Sequence, residues 1–169
     1  MKKMLIAAAI AMAATTASFG AKSGQIGLDF GVSNITAISN ANSAPTVGLW
    51  WNVSDKIALR PSIGFTNSDN GTTSSTAISF GIAVPIYVAN FNKLDLYIAP
   101  EFNWATDGGS PANSGMAVGA SLGTQVSVAE QVSLFGEMGI GYYKNLTSGA
   151  KDSQIGTART AFGVILHFN

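Results

Sequence analysis

The sequence contains no cysteine and a single histidine, and both shortages narrow the chemistry open to it. Without a thiol there is no disulfide, no cysteine nucleophile and no acylated cysteine of the lipoprotein kind. A metal site needs several ligands at suitable spacing, and the sequence offers His167 no such partners. We therefore expect no metal site, no cofactor and no catalytic residues, so that the protein is not an enzyme.

Charge is also scarce, because charged residues make up only 11% of the chain, whereas soluble domains usually carry about 25%. Hydrophobic residues reach 47%, and the mean hydropathy is +0.28. Nine acids balance nine bases, so no basic surface indicates a nucleic-acid partner. A chain of this composition either has an unusually dry surface or lies in a membrane.

The sequence also lacks an apolar run of the ~20 residues that a membrane-spanning helix needs. The run at residues 4–14 is about half that length, follows Lys2 and Lys3, and precedes small residues. This layout is typical of a secretory signal peptide. We expect residues 1–20 to be a signal cleaved at Gly20–Ala21 and residues 21–169 to form one domain.

Alternation of apolar and polar residues is what the sequence does have. In the segment "KLDLYIAPEFNW", Leu94, Leu96 and Ile98 alternate with Asp95 and Tyr97, as in a strand whose side chains point to opposite faces. Eight such segments occur, near residues 25–33, 45–53, 56–65, 76–89, 93–104, 115–127, 131–143 and 157–168.

The connectors between these segments alternate in length. The short ones lie near residues 54–55, 90–92 and 128–130, and the long ones, rich in Asn, Ser, Thr and Gly, span residues 34–44, 66–75, 105–114 and 144–156. An even number of strands with tight turns at one end and long loops at the other is typical of an outer-membrane barrel. The pattern predicts an all-β fold, an eight-stranded antiparallel up-and-down transmembrane β-barrel with four extracellular loops.

The distribution of charge indicates which face is inside. Apart from Lys56 and Lys93 at the segment ends, six charged residues lie within the predicted strands, all opposite the bulky apolar residues: Asp29, Arg60, Asp95, Glu101, Glu137 and Arg159. The interior of an eight-stranded barrel is just wide enough for side chains, so the bulky residues would overfill it. We therefore place them outward, against lipid, and not inward as in a soluble barrel. Because lipid cannot satisfy free backbone groups, the sheet must close.

Unpaired charges in so narrow a lumen would be costly. We expect a lumen charge cluster of Asp29, Arg60, Glu101, Glu137 and Arg159. Arg60 is expected to engage Asp29 or Glu101, and Arg159 to engage Glu137 or Glu101. Tyr97 and Tyr143 are expected to fill the remaining space.

Aromatic residues near the predicted strand ends would form the two girdles at the membrane interfaces. They are Trp51, Phe65, Phe102, Trp104, Tyr142 and Phe168. Pro61, Pro85 and Pro100 fall inside predicted strands, where each removes a ladder donor, so they are expected to mark bulges or strand ends.

The final strand, "AFGVILHFN", alternates Phe162, Val164, Leu166 and Phe168, and it resembles the C-terminal strand signal of bacterial outer-membrane barrels. It departs from that signal in that Asn169 follows the aromatic residue. The pattern of the whole chain resembles the small eight-stranded outer-membrane β-barrel family, which includes the OmpA transmembrane domain and the OmpX/Ail type.

The resemblance implies export through the general secretory route and a location in the bacterial cell outer membrane. Its implied partners are outer-membrane lipid, the barrel assembly machinery acting on the C-terminal strand, and an unknown extracellular ligand at the loops. A structural or surface-interaction role is expected. A narrow porin-like channel is the alternative, and a lipid-modifying barrel enzyme is a third hypothesis, for which His167 lies at the wrong end.

Overall fold

The computed structural model describes residues 22–35, 44–69, 74–108, 114–146 and 153–168. The expected signal peptide, residues 1–20, and the central parts of the four expected long loops lie outside these ranges. Within the described ranges, no helix is long and apolar enough to cross a membrane.

All the regular elements of the described residues are β-strands. They are β1 (Ile26–Ile35), β2 (Ala44–Ser54), β3 (Ile57–Asp69), β4 (Ser74–Ala83), β5 (Ile86–Phe91), β6 (Leu94–Asp107), β7 (Ser114–Ala129), β8 (Val132–Asn145) and β9 (Ser153–Phe168). Every pairing is antiparallel, β9 pairs with β1, and the β2–β3 pairing completes the ring. Since β4 and β5 together form one strand of the barrel, the predicted fold class is confirmed: a closed eight-stranded antiparallel barrel.

The break between β4 and β5 has a local cause in two prolines. The N–H of Ala58 donates to the carbonyl of Pro85, and the N–H of Val84 donates to the carbonyl of Pro100, both at 2.9 Å. Neither proline has an N–H with which to return the bond. The register with β3 and with β6 is the same on both sides of the break, so the chain continues along one line.

Pro61 has a similar effect on the ladder between β2 and β3, which runs to the pair Gly48–Ser62 and resumes at Trp51–Leu59. The register shifts beside the short turns, however, do not occur at prolines. Each of them skips one exposed valine, and these residues are Val53, Val88 and Val128. The prolines therefore do not mark the bulges of these three hairpins, whereas Pro85 does lie at a strand end, the other outcome expected. The extra residue is placed close to the turn, where a bulge can adjust strand twist.

The short turns lie slightly later than the sequence predicted, at Asp55–Lys56, Asn92–Lys93 and Glu130–Gln131. Asn92 has φ 63°, a left-handed conformation that asparagine tolerates in a two-residue hairpin turn. The backbone N–H of Ser23 donates to Asp55 Oδ1 at 2.9 Å, which places the start of the described chain at the same end. The start of β1, the end of β9 and all three short turns therefore lie at one rim of the barrel, which we call the turn end. The long connectors join strands at the opposite rim, which we call the loop end.

Alternate residues of each strand face the lumen and the outside. Outward-facing Ile, Leu, Val, Met and Phe side chains are exposed in all eight barrel strands, and they form a continuous apolar outer face. The lumen core packs Trp50, Ala58, Ala83, Tyr97, Ala99, Phe135, Ala161 and Ile165. Strand β8 runs two residues beyond its predicted end, which brings the exposed Lys144 onto the outer face at the loop end.

Candidate functional site

The centre of the lumen is occupied by an arginine held between two carboxylates. Arg60 Nη1 and Nη2 donate to Glu137 Oε1 and Oε2, each at 2.8 Å, and Arg60 Nε lies 3.9 Å from Asp29 Oδ2. All three residues are buried. A bidentate guanidinium–carboxylate pair is among the strongest hydrogen-bonded arrangements in proteins, and it fixes the orientation of both side chains.

Aromatic rings enclose this ion pair. The guanidinium carbon of Arg60 lies 5.1 Å from the ring centroid of Trp50 and 5.3 Å from that of Phe135, which suits cation–π attraction. The hydroxyl of Tyr97 donates to Glu137 Oε1 at 2.9 Å. We call Asp29, Trp50, Arg60, Tyr97, Phe135 and Glu137 the plug, because together they cross the lumen.

A polar network continues from the plug toward the turn end. The indole N–H of Trp50 is shared between Tyr87 Oη, at 3.1 Å, and Asn52 Oδ1, at 3.2 Å. The hydroxyl of Tyr87 donates to Gln125 Oε1 at 2.9 Å. The polar atoms that the plug buries therefore have partners, as buried polar groups require.

Glycines make room for these large side chains. A Cβ atom added at Gly123 would lie 2.3 Å from the ring of Tyr97, and one at Gly48 would lie 2.6 Å from Asp29 Oδ1. On the loop side of the plug a cavity of about 10 Å³ remains, enough for about one water molecule. It is lined by Asp29, Gly31, Val32, Thr46, Arg60, Ser62, Phe135 and Ala161.

Comparison with known proteins identifies this architecture. No family model matches the sequence, and no curated protein matches it. Among solved structures, the N-terminal β-barrel domain of Pseudomonas aeruginosa OprF matches with a TM-score of 0.54 at 12% identity, over 86% of this chain and 98% of that one. Neisserial surface protein A (NspA) matches with a TM-score of 0.51 at 16% identity, over 85% and 96%.

This chain has the fold of the small outer-membrane β-barrels. The attachment invasion locus protein Ail of Yersinia pestis also matches, with a TM-score of 0.47 at 11% identity, over 86% of this chain and 99% of that one. At 12% and 16% identity, the likeness to OprF and NspA establishes the fold and leaves activity open.

The barrel pairs the predicted lumen charges differently from the expectation. Asp29, one of the two partners expected for Arg60, is within ion-pair distance, but the closest partner is Glu137, which was expected to engage Arg159. Strands in a barrel are tilted and staggered, so Arg60 and Glu137, which lie at different distances from the turn end along β3 and β8, meet in the lumen.

Glu101 and Asp95 lie outside the plug. Glu101 is half-buried, and the hydroxyl of Ser121 donates to its Oε1 at 3.4 Å. Asp95 is buried and accepts a hydrogen bond from the side-chain amide of Asn90. The backbone of Arg159 pairs with Gly139 and Ile35, but its side chain lies outside the described residues, as do the pairs expected of it.

A second polar group lies at the turn end. Ser133 Oγ is 2.9 Å from His167 Nε2, and Ser127 Oγ is 3.4 Å from Ser133 Oγ. Ser133 and His167 are both buried, and within the described residues His167 Nδ1 has no hydrogen-bond partner, so no acid orients the ring. Sequence inspection missed this pair because the two residues are 34 positions apart and meet only through the β8–β9 ladder.

The six interface aromatics all face outward and are exposed in the barrel. Trp51 and Phe168 both lie opposite Ile26 at the turn end. The other four lie toward the loop end, where Trp104 pairs with Met116 and Phe102 and Tyr142 both pair with Val118. Aromatic side chains therefore project from the outer face near both rims.

Proposed function

We propose that this protein is an integral barrel of the bacterial outer membrane, reached through the general secretory route, with a structural or surface-interaction role. Its outer face is a band of mainly apolar exposed side chains with aromatic residues toward both rims. In water such a surface would be an aggregation hazard, whereas in a bilayer it is the surface that lipid requires. The likeness to outer-membrane barrels of known structure supports the same location.

The observation that carries the structural role is the plug. A solute crossing the lumen would have to separate Arg60 from Glu137 and displace the rings of Trp50 and Phe135. Separating a buried ion pair costs about 3–5 kcal/mol when one partner is left uncompensated. The proposed barrel is therefore closed to solutes and interacts with its surroundings through lipid and through its loops.

The difference in connector length between the two rims indicates the orientation of the barrel in the membrane. Short turns of outer-membrane barrels face the periplasm and long loops face the outside. We propose that loops spanning about residues 34–44, 66–75, 105–114 and 144–156 meet an extracellular ligand, and that the barrel assembly machinery acts on β9. The polar, small-residue composition of these segments suits surface loops that carry function.

Conductance in planar bilayers tests the closed lumen. The wild-type protein is expected to show no large, stable channel, because its lumen is filled at the plug. Large porin-like conductance from the purified wild-type protein would contradict the proposal.

Labelling in intact cells tests the orientation. A cysteine in place of Gly108, at the loop end, should react with a maleimide too large to pass porins, while one in place of Asp55, in a short turn, should react only after lysis. Both residues are exposed, so burial does not explain a difference. Labelling of Asp55→Cys alone in intact cells would reverse the orientation.

A narrow channel is the second candidate, favoured by the polar and small residues of the loop-side lumen, such as Ser62, Ser121 and Gly139, and by the cavity beside Arg60. Such a channel would give small conductance that responds to Glu101→Gln. We propose no enzymatic activity, since Ser133 and His167 are buried and no acid among the described residues orients the His167 ring.

A further inference from the structure

Lys144 differs from every other strand residue of the outer face whose side chain the structure describes, because it alone carries a charge. It is the penultimate residue of β8, and its side chain is exposed. It lies opposite Met116 of β7, which in turn lies opposite Trp104 of β6. Neighbouring strands are about 4.8 Å apart, so Lys144 and Trp104 are roughly 10 Å apart along this row.

The position of Lys144 relative to the aromatic residues sets its depth. Tyr142, also outward-facing and exposed, precedes Lys144 by two residues along β8. Two residues of strand advance about 6.6 Å along the strand, so Lys144 lies farther toward the loop end than Tyr142, on the same row as Trp104. A lysine at such a depth extends its ammonium group into the polar interface while its methylene groups cover the apolar surface.

Toward the middle of the barrel from this row, small side chains leave a shallow depression in the outer face. Ala120 of β7 lies opposite Pro100 of β6, and both are small, outward-facing and exposed. Phe102 and Val118, the next outward-facing pair toward the loop end, are larger and border this depression on its upper side. A hydrocarbon chain would bury apolar surface there without displacing a side chain.

We propose that Lys144, with Trp104, Met116 and Tyr142, forms a binding site for the headgroup of an anionic phosphate lipid, whose acyl chain lies over Pro100 and Ala120. The inference rests on the proposed membrane location. The ammonium group of Lys144 complements a phosphate, and Trp104 and Tyr142 suit the depth of the headgroups. The depression at Pro100 and Ala120 accommodates the acyl chain. One lysine near an anionic surface favours the anionic lipid by about fivefold at low salt, and salt screens this preference.

Quenching of tryptophan fluorescence by brominated lipids tests the site in the folded, reconstituted protein. The chain has three tryptophans, and Trp50 is fully buried in the lumen. In a Trp51→Phe background, therefore, Trp104 is the only tryptophan that lipid can quench directly. One set of vesicles contains brominated phosphatidylglycerol and unbrominated phosphatidylcholine, and a second set contains unbrominated phosphatidylglycerol and brominated phosphatidylcholine. The quenching of Trp104 in the first set divided by that in the second gives its preference for phosphatidylglycerol.

We expect a two- to fivefold preference for phosphatidylglycerol at Trp104 at low salt. The preference should be kept in Lys144→Arg, fall to about one in Lys144→Gln, and fall below one in Lys144→Glu. A Trp104→Phe background leaves Trp51 as the reporter at the turn end, where Lys144→Gln should change nothing. Lys93→Gln, a charge removed from the turn end, should leave the preference at Trp104 unchanged.

Two outcomes would overturn the inference in distinguishable ways. If Trp104 is quenched but Lys144→Gln leaves its lipid preference unaltered, the lysine site does not exist, and the membrane location stands. If brominated lipid of neither kind quenches Trp51 or Trp104, the outer face does not contact lipid, and the proposed function fails together with the site.

Discussion

The outer wall and the lumen of this barrel are built from alternate residues of the same strands, yet they are stabilised in different ways. Trp50 and Trp51 are chain neighbours, but Trp50 is 0% exposed and donates hydrogen bonds in the lumen, whereas Trp51 is 40% exposed on the outer face. On the outer wall any large apolar residue meets the same requirement. In the lumen each side chain has particular partners at fixed distances.

This difference predicts how each face responds to change. Outer-face residues contribute by transfer into an apolar environment, which depends on side-chain size and polarity. Lumen residues contribute through paired charges, shared hydrogen bonds and close packing, where one removal leaves other groups uncompensated. We therefore expect the outer wall to tolerate apolar exchanges and the lumen to tolerate very few.

The largest effect is expected from breaking the plug. Arg60→Ala leaves Glu137 and Asp29 buried without their cation, so the free energy of unfolding should fall by about 3–5 kcal/mol. Urea titration of the protein folded in vesicles measures it. The double variant Arg60→Leu/Glu137→Leu, which removes both charges, should lose less. If the double variant loses as much stability as Arg60→Leu and Glu137→Leu lose in sum, the two residues are not coupled.

The outer wall should fail only when it is given charge. Leu122 is 57% exposed near the middle of β7, and Leu122→Arg should cost about 2–4 kcal/mol at the bilayer midplane. Leu122→Ala, which shortens the side chain but adds no charge, is the matched control and should cost much less. Folding yield in vesicles and urea titration give both values, and equal costs for the two variants would contradict the face assignment.

A pair of glycines on opposite faces compares the two regions directly. Gly123→Ala places a methyl group 2.3 Å from the ring of Tyr97, whereas Gly136→Ala, on the outer face, meets only Thr124 Oγ1 at 4.0 Å. Overpacking a filled interior costs about 1–3 kcal/mol, so Gly123→Ala should destabilise the barrel and Gly136→Ala should be nearly neutral. The same urea titration applies. A neutral Gly123→Ala would mean that Tyr97 does not pack against β7.

The smallest effect is expected at the neighbouring tryptophans. Trp50→Phe keeps a ring but removes the N–H shared by Asn52 and Tyr87, and it should cost about 1 kcal/mol. Trp51→Phe removes an N–H at the membrane interface and should stay within about 0.5 kcal/mol. Urea titrations followed by the remaining tryptophans measure both, and a larger loss for Trp51→Phe would reverse the comparison.

Periodicity predicted most of the fold because it depends on each strand alone. The outward direction of Leu94 or Leu122 follows from alternation and from the size of an eight-stranded lumen. A break near Pro85 could be suspected from the proline itself, but the hydrogen bonds that bridge the break could not be predicted. They depend on Pro85 facing Ala58 and on Pro100 facing Val84, which are contacts between strands. The placement of Lys144 on the outer face depended on where β8 ends, and strand ends are poorly defined by pattern.

The candidate site was predictable in its residues and not in its pairs. Asp29, Arg60 and Glu137 could be assigned to the lumen because each lies opposite bulky apolar neighbours. That Glu137, and not Glu101, takes the guanidinium of Arg60 depends on the stagger of β3 against β8 across the lumen. Trp50 and Phe135 were not singled out, because nothing local distinguishes a ring that packs on a cation from one that fills space.

The sequence by itself therefore determined the antiparallel strands, the face that each residue takes and the two unlike rims, because strand geometry and connector length are local properties. Tertiary structure decided which charges meet, which glycines must stay small and where the lumen closes. Those outcomes depend on the tilt and stagger of strands once the ring has closed, and these set distances between residues far apart in the chain.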